Sequence, residues 1–429
     1  MRGRLPIIAT GAWLLALAVR LWDLDATMML ADSVGPYLSA SANALNPHAH
    51  APPYGWGLHP PFALALLAPN LRMAVAVMMG FHALAAPLAT LCAARVGDWR
   101  HGLVAGAIVA LEPGLLDTAL SGAEGYLAPV WLGLVMLLVL TGRGAAAGAP
   151  AAWAMAVMNH PLSLCAAPLL GLMPRTRRSL VGLAIGAGLL LSRGWFEGGP
   201  NVEGVGIDQA ALAWLIEGPW SAGVLILALL TAAWRRRSLA LVVGLSVVLL
   251  IGAGALLGYL RDHHLRLFVV PLAACLGAVP GWWVMAGLLA LRPPMGRSPE
   301  PGKPHRPGTL GLTTEIAAST TEPVMFDGAW LSGPKAAEAS AVNLDRSMRG
   351  LEPDPATVLL IVSFERGQGP PGVSPGARHA LLPPDDAFCA GRTGGAEDAM
   401  HLFPEGTTHG EVVAWRDSCE PDQETEPTR

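Results

Sequence analysis

The stretch Arg20–Pro61, RLWDLDATMMLADSVGPYLSASANALNPHAHAPPYGWGLHPP, decides how this chain is read. It lies between two apolar runs that can each enter a bilayer. It carries Asp23, Asp25, Asp32, His48, His50 and His59, with no Lys or Arg after Arg20. A polar, acidic loop directly behind a first apolar helix is an unusual place for so many titratable groups. Ionisable groups at membrane depth are costly and tend to be functional.

Composition supports the membrane reading. Of 429 residues, 52% are hydrophobic and 14% charged, whereas an ordinary soluble domain carries about 25% charge. The charges are also segregated. Up to Arg297 there are 12 acids and 18 bases, and beyond it the remaining 20 acids and 10 bases of the chain's 32 and 28. A membrane half is therefore followed by an acidic, Pro-rich tail. In the membrane half the bases cluster in short loops: Arg2 and Arg4, Arg95 and Arg100, Arg143, Arg175 to Arg178, and Arg235 to Arg237. Short Arg-rich loops stay cytoplasmic. The loops between them, Asp23 to Leu58, Asp117 to Gly125 and Glu197 to Glu217, are acidic and belong outside.

A spanning helix needs about 20 apolar residues. Leu5 to Trp22 is the first such run, expected to be retained rather than cleaved as a signal peptide. A short interfacial helix at Pro60 to Leu67 follows, then Met73 to Ala94, Leu103 to Leu120 and Tyr126 to Leu140. Ala151 to Met173 is broken at Asn159-His160-Pro161, where proline forbids a regular helix. Two half-helices that enter and return, or one kinked span, both fit. Leu180 to Trp195, Trp220 to Trp234, Leu239 to Leu257 and Leu267 to Leu291 complete about ten segments. That count leaves the tail cytoplasmic.

The expected fold is an all-α polytopic membrane protein. Its transmembrane module covers 1–291, a Pro/Gly/Ser/Thr-rich linker 292–323, and an acidic C-terminal region 324–429 that is small α+β or disordered. Thr357 to Phe364 (TVLLIVSF) is its best strand candidate. Cys92, Cys165 and Cys275 lie in apolar runs, and Cys389 and Cys419 in the tail, where a disulfide requires an extracytoplasmic location. The chain has no internal repeat, P-loop, GxGxxG or paired CxxC. His48 and His50 read as solvated loop histidines before they read as metal ligands.

The outer face carries the chemistry. Asp32 reads equally as a proton acceptor or as the cap of a helix through Tyr37 to Leu45. Asp117 and Glu124 bracket a turn on the same side, able to orient a substrate or simply solvated. Arg261, His263, His264 and Arg266 form a basic cluster suited to a phosphate, or to snorkelling at the interface. His160 reads as a helix-break residue. An acidic loop, an acidic turn and a basic cluster on one face suit a lipid-phosphate-linked sugar, which needs a base for the acceptor and cations for the departing phosphate.

Taken in order, Arg20, Asp32, Tyr37 with SASANAL, His59-Pro60-Pro61, Pro113 and Glu124, His160-Pro161, and Arg266 with Pro271 give the chain its likeness. It resembles the GT-C superfamily of polytopic glycosyltransferases, in particular the branch similar to protein mannosyltransferases and the aminoarabinose transferase of lipid A. The resemblance runs over Leu5 to Leu291. It implies a multi-pass protein of the plasma (inner) membrane, a polyprenyl-phosphate-sugar donor, a lipid, glycan or protein acceptor, and no nucleic acid. Asp32 would be the catalytic base and Arg266 a phosphate-binding residue, with His264, Glu124 and Asp117 around the substrate. No metal ligand is assigned, and the cofactor stays open, a divalent cation included. Ser33 departs from the pattern, because a Glu is common there, and this puts a paired-carboxylate site in doubt. The rival class is a non-enzymatic membrane protein, either a transporter, an assembly partner or an inactive relative. A transporter would carry two related halves.

Overall fold

The computed structural model describes residues 4–22, 24, 27, 60–112, 115–116, 127–142, 148–173, 219–256, 262–290, 310, 314, 317–318, 324–326, 341, 344–351, 359–361, 379–381 and 400–402. The chain divides into two units. One comprises Met1–Asp23, Pro52–Pro61 and Ala76–Arg297, the other Leu24–Ala51, Phe62–Val75 and Ser298–Arg429.

Helix α1 (Arg4–Leu21) buries Ala9, Ala12, Ala16 and Arg20, one residue per turn. Its other faces leave Ile7, Leu14 and Leu15 exposed. In water that exposure would be costly. Between lipid tails it costs nothing, and helices instead associate through small residues that let backbones approach. After α2 (Pro60–Ala65), α3 (Leu71–His82) and α4 (Ala85–Val96) run on through Ala83 and Leu84 as one 26-residue apolar stretch. Helix α5 (Trp99–Ala110) packs against α4 and α1. Its Gly102 and Gly106 face α4, where a Cβ on Gly102 would lie 2.6 Å from the Thr90 carbonyl oxygen and one on Gly106 would overlap the Thr90 hydroxyl. This is a small-xxx-small crossing, readable in WRHGLVAGAIVA.

Helix α6 (Ala128–Thr141) ends at Gly142, whose left-handed φ of 67° lets its N–H bond the Leu138 carbonyl. Helix α7 (Gly148–Asn159) stops at His160, and a 3₁₀ segment (Pro161–Leu172) follows. The Trp153 indole N–H donates to the Ser163 carbonyl at 3.0 Å. Ser163 therefore lies alongside the body of α7, and the 3₁₀ segment packs against it. Helices α8 (Pro219–Arg235) and α9 (Arg237–Leu256) follow, joined through Arg236. Then come α10 (Asp262–Leu265), a 3₁₀ turn (Arg266–Phe268), α11 (Val269–Ala274), a second 3₁₀ turn (Cys275–Ala278) and α12 (Trp282–Ala290). The single last run expected over Leu267 to Leu291 is in fact broken. The chain reverses at Val279–Gly281, where Gly281 has φ 81° and a Cβ would strike the Trp283 ring.

Side-chain contacts sort the helix ends of this unit. Arg4 and Arg100 both lie over the Trp99 ring, and Arg100 over Trp282. The His101 Nε2 meets the Val279 carbonyl, Arg236 donates to Val96 O, and Arg95 to Leu140 O. The starts of α1, α5 and α12 and the ends of α4, α6 and α8 thus share one basic end. At the other end Arg20, near the end of α1, reaches Ala110 O at the end of α5, and Asn159, ending α7, holds the start of α6. Exposed Trp22 (88%) marks that end, and Trp234 (86%) and Trp283 (66%) mark the basic one, as aromatic belts do at membrane interfaces.

Among the described residues, three helices are long and apolar enough to cross a membrane: Arg4–Leu21, Leu71–Val96 and Arg237–Gly254. Ala128–Thr141, Gly148–Val157, Leu162–Leu172, Gly223–Arg235 and Arg266–Ala278 are apolar but shorter. The expected run Leu180 to Trp195 lies outside the described residues.

In the second unit, β1 (Val324–Phe326) pairs in parallel with β2 (Leu359–Ile361), inside the apolar stretch expected to be a strand. β3 (His379–Leu381) and β4 (Met400–Leu402) pair antiparallel. The stretch expected as a linker contains buried Leu310, Thr314 and Ala317, with the Thr314 hydroxyl bonded to the Leu310 carbonyl one helical turn back. Leu310 N–H donates to Thr27 O at 3.0 Å. Buried Asp345 accepts the Leu71 N–H on Oδ1 and the Arg349 guanidinium on Oδ2.

Candidate functional site: a buried polar cluster at one end of the helices

Asp32, Asp117 and Glu124 lie outside the described residues, as do His48, His50 and His59. The basic pair His264 and Arg266 is inside them. Helix α10 and the 3₁₀ turn behind it carry both side chains into the interior, with His264 fully buried and Arg266 5% exposed. Neither snorkels. The turn packs against α6.

The His264 ring rests against that of His160, with centroids 4.8 Å apart and planes inclined by 54°. Two positions more than a hundred residues apart in the sequence therefore meet. His160 has a second task. Its Nδ1 accepts the Leu162 N–H at 3.2 Å and caps the 3₁₀ segment, which fixes the other nitrogen as the proton carrier in the neutral ring. The break at His160-Pro161 thus also supplies an imidazole for the interior.

Asn159, next in the chain, accepts the Leu127 N–H on Oδ1 at 2.9 Å. Its Nδ2 and the Ser163 hydroxyl, both buried, have no hydrogen-bond partner among the described residues. Unpaired buried polar atoms are expensive, by about 1–3 kcal/mol each. They make the surroundings of His160 polar.

A second buried group lies at the same end. Arg20 donates from Nε to His82 Nδ1 at 2.9 Å, and from Nη1 to Ala16 O and Ala110 O. A guanidinium can only donate, so His82 Nδ1 is an acceptor. Arg20 thereby ties α1, α3 and α5 together. Glu112, also buried, closes the end of α5 by accepting the Leu115 N–H.

Sequence reasoning singled out Arg20, His160, His264 and Arg266 and missed His82, Glu112 and Ser163. His82 had a signal, since it is the lone titratable residue in the apolar run MAVAVMMGFHALAAPL from Met73 to Leu88. Glu112, one residue before Pro113, had one too. Ser163 had none, because a serine beside a helix break looks like a capping residue.

The basic end has different chemistry. Asp98 caps α5 by accepting the N–H groups of Arg100 and His101 at 2.9 and 3.2 Å, and its Oδ1 lies 2.7 Å from His101 Nδ1. Partial burial pushes its carboxyl up, but the hydrogen bonds from the His101 ring and from the two backbone N–H groups outweigh that and hold it below the usual carboxylate range. Aromatic rings and cations dominate there.

No protein-family model, curated protein or solved structure matches the chain.

Proposed function

We propose that the chain is a membrane glycosyltransferase of the GT-C type. It would act at the plasma (inner) membrane and move a sugar from a polyprenyl-phosphate donor to a lipid, glycan or protein acceptor on the non-cytoplasmic face. The observation that carries this reading is the buried meeting of His160 and His264 beside Arg266. A guanidinium binds phosphate oxygens bidentately. Two imidazoles against one another supply further donors near it. Buried cations of this kind suit the neutralisation of a departing phosphate, the term that dominates transfer from such donors.

The mechanism is a single displacement with inversion. Asp32 takes the proton from the acceptor hydroxyl as its oxygen attacks the anomeric carbon. The bond from that carbon to the donor phosphate breaks, and its electron pair stays on the phosphate, beside Arg266 and His264. Glu124 and Asp117 position donor or acceptor. Arg20 with His82 belongs to the framework, since its bonds run between helices.

The test is sugar transfer by membranes carrying the chain, with Asp32→Asn, Arg266→Ala and Arg266→Lys. Loss of about 100-fold or more is expected for Asp32→Asn and Arg266→Ala, with partial retention in Arg266→Lys. Unchanged transfer in both Asp32→Asn and Arg266→Ala, at wild-type membrane levels, would refute the proposal.

A further inference from the structure

We infer that the C-terminal region from Leu310 onward lies on the same side of the membrane as the acidic loop that follows α1, which is the non-cytoplasmic side, and docks on the segments that begin and end that loop. This reverses the expectation from counting apolar runs, and it does not depend on any enzymatic activity.

Two contacts within the second unit carry it. Leu310 N–H donates to the carbonyl of Thr27 at 3.0 Å, and Thr27 follows the end of α1 by six residues. Asp345 accepts the N–H of Leu71, the first residue of α3. The opening N–H groups of a helix have no partner within it, and a carboxylate is the preferred side chain to satisfy one. Asp345 is fully buried and both its oxygens are committed, Oδ1 to Leu71 and Oδ2 to Arg349 at 2.8 Å. Buried carboxylates without partners are very costly, so this is a specific seat and not a chance approach. Chain connectivity does the rest. The acidic loop leaves α1 before Thr27 and returns to the membrane at Leu71, so both contact points lie where the chain is outside.

The helix ends of the first unit agree. Arg4, Arg95, Arg100 and Arg236 mark its basic end, which the positive-inside rule assigns to the cytoplasm. The run expected to end the membrane module at Leu291 already reaches that end at Val279, where His101 binds its carbonyl. It then reverses at Gly281. From Trp282, stacked under Arg100, α12 sets off along α5, with Trp282 and Ala286 against the core. One more leg directed away from the basic end is what counting apolar runs lacks. Arg292, Arg297, Lys303 and Arg306 pull the other way by the same charge rule. That rule governs short loops, and long tails translocate largely regardless of charge.

The test uses the full chain with a reporter after Arg429, either alkaline phosphatase, active only outside, or green fluorescent protein, fluorescent only inside. Active phosphatase and a dark fluorescent fusion are expected. A bright fluorescent fusion with inactive phosphatase would overturn the inference. In a second arm, Thr27→Cys and Leu310→Cys are combined in a chain whose Cys389 and Cys419 are changed to serine. A disulfide should form between them under mild oxidation, and neither single variant should show the mobility shift. Membrane-inserted, folded double variant that stays reduced would overturn the docking, whatever the reporters give.

Discussion

The crossing of α4 and α5 can be tested by asking the same substitution to have opposite effects at two places. At Gly102 a new Cβ would lie 2.6 Å from the Thr90 carbonyl oxygen and 2.9 Å from the Ala94 Cβ, where ordinary contact begins at 3.4 Å. Neither neighbour can swing aside, since one is helix backbone and the other has no rotamer. The helices must part by several tenths of an ångström or more. Overpacking of this kind costs about 1–3 kcal/mol. Against it stands the gain from replacing a helical glycine by alanine, about 0.5–1 kcal/mol. Gly102→Ala is therefore expected to lose about 1–2 kcal/mol. Gly11 lies in α1 with nothing within 4 Å of a built Cβ, so Gly11→Ala keeps the gain and loses nothing. The gain is common to both, so the two variants should differ by the overpacking cost, about 1–3 kcal/mol, or roughly 1–3 °C in melting temperature for a chain of 429 residues. Thermal unfolding of the purified protein in detergent, followed by tryptophan fluorescence at one scan rate, reads the difference. Gly102→Ala melting level with Gly11→Ala would refute the close approach of α4 and α5.

Other expectations follow from single contacts. Arg20→Met and His82→Leu should each destabilise the protein, and the double variant should lose less than their sum by about 1–2 kcal/mol; additive losses in a double-mutant cycle would mean that the Arg20–His82 bond contributes nothing. Trp153→Phe removes the bond that holds Ser163 beside α7 and should cost about 1 kcal/mol, while Trp283→Phe, at an exposed ring, should be near neutral in the same melting assay. Asp98→Ala removes the cap of α5 and should cost about 1 kcal/mol, reduced by the 51% exposure of the carboxylate. Because the folded carboxyl is held below its usual range, the cap's contribution is fully present above that range and fades as pH falls through the lowered value. A wild-type minus Asp98→Ala difference in melting temperature that grows on acidification would contradict this.

Much of the helical layout was legible in the sequence because each span is a run of apolar residues with Arg at one end. The edges of α1, of the 71–96 stretch, and of α6, α8 and α9 fall within a few residues of the apolar runs. The break at His160-Pro161 was legible too, since proline at that position has a definite steric consequence. The reversal at Gly281 was not. Pro280-Gly281 is followed at once by Trp-Trp-Val-Met, so apolar character continues across a turn that only the backbone angle of Gly281 reveals. The docked segment around Leu310 was hidden by its Pro- and Gly-rich surroundings, where composition outweighs a few buried positions. Of the candidate site, His264 and Arg266 were read from their charge at a helix boundary. Their union with His160 belongs to tertiary packing, and no local pattern announces it.

The helix that begins at Leu71 has a further consequence. With α4 it makes an apolar stretch of 26 residues, about 39 Å at the helical rise, against about 30 Å of hydrocarbon in a typical bilayer. The surplus must be taken up by leaning over or by standing proud among the headgroups. One of the stretch's two ends is Leu71, whose N–H the Asp345 carboxylate accepts. In lipids with longer acyl chains that carboxylate would be drawn toward oil, and the seat would become dearer to keep. Bilayer thickness is thus a natural dial on whether the C-terminal region stays docked.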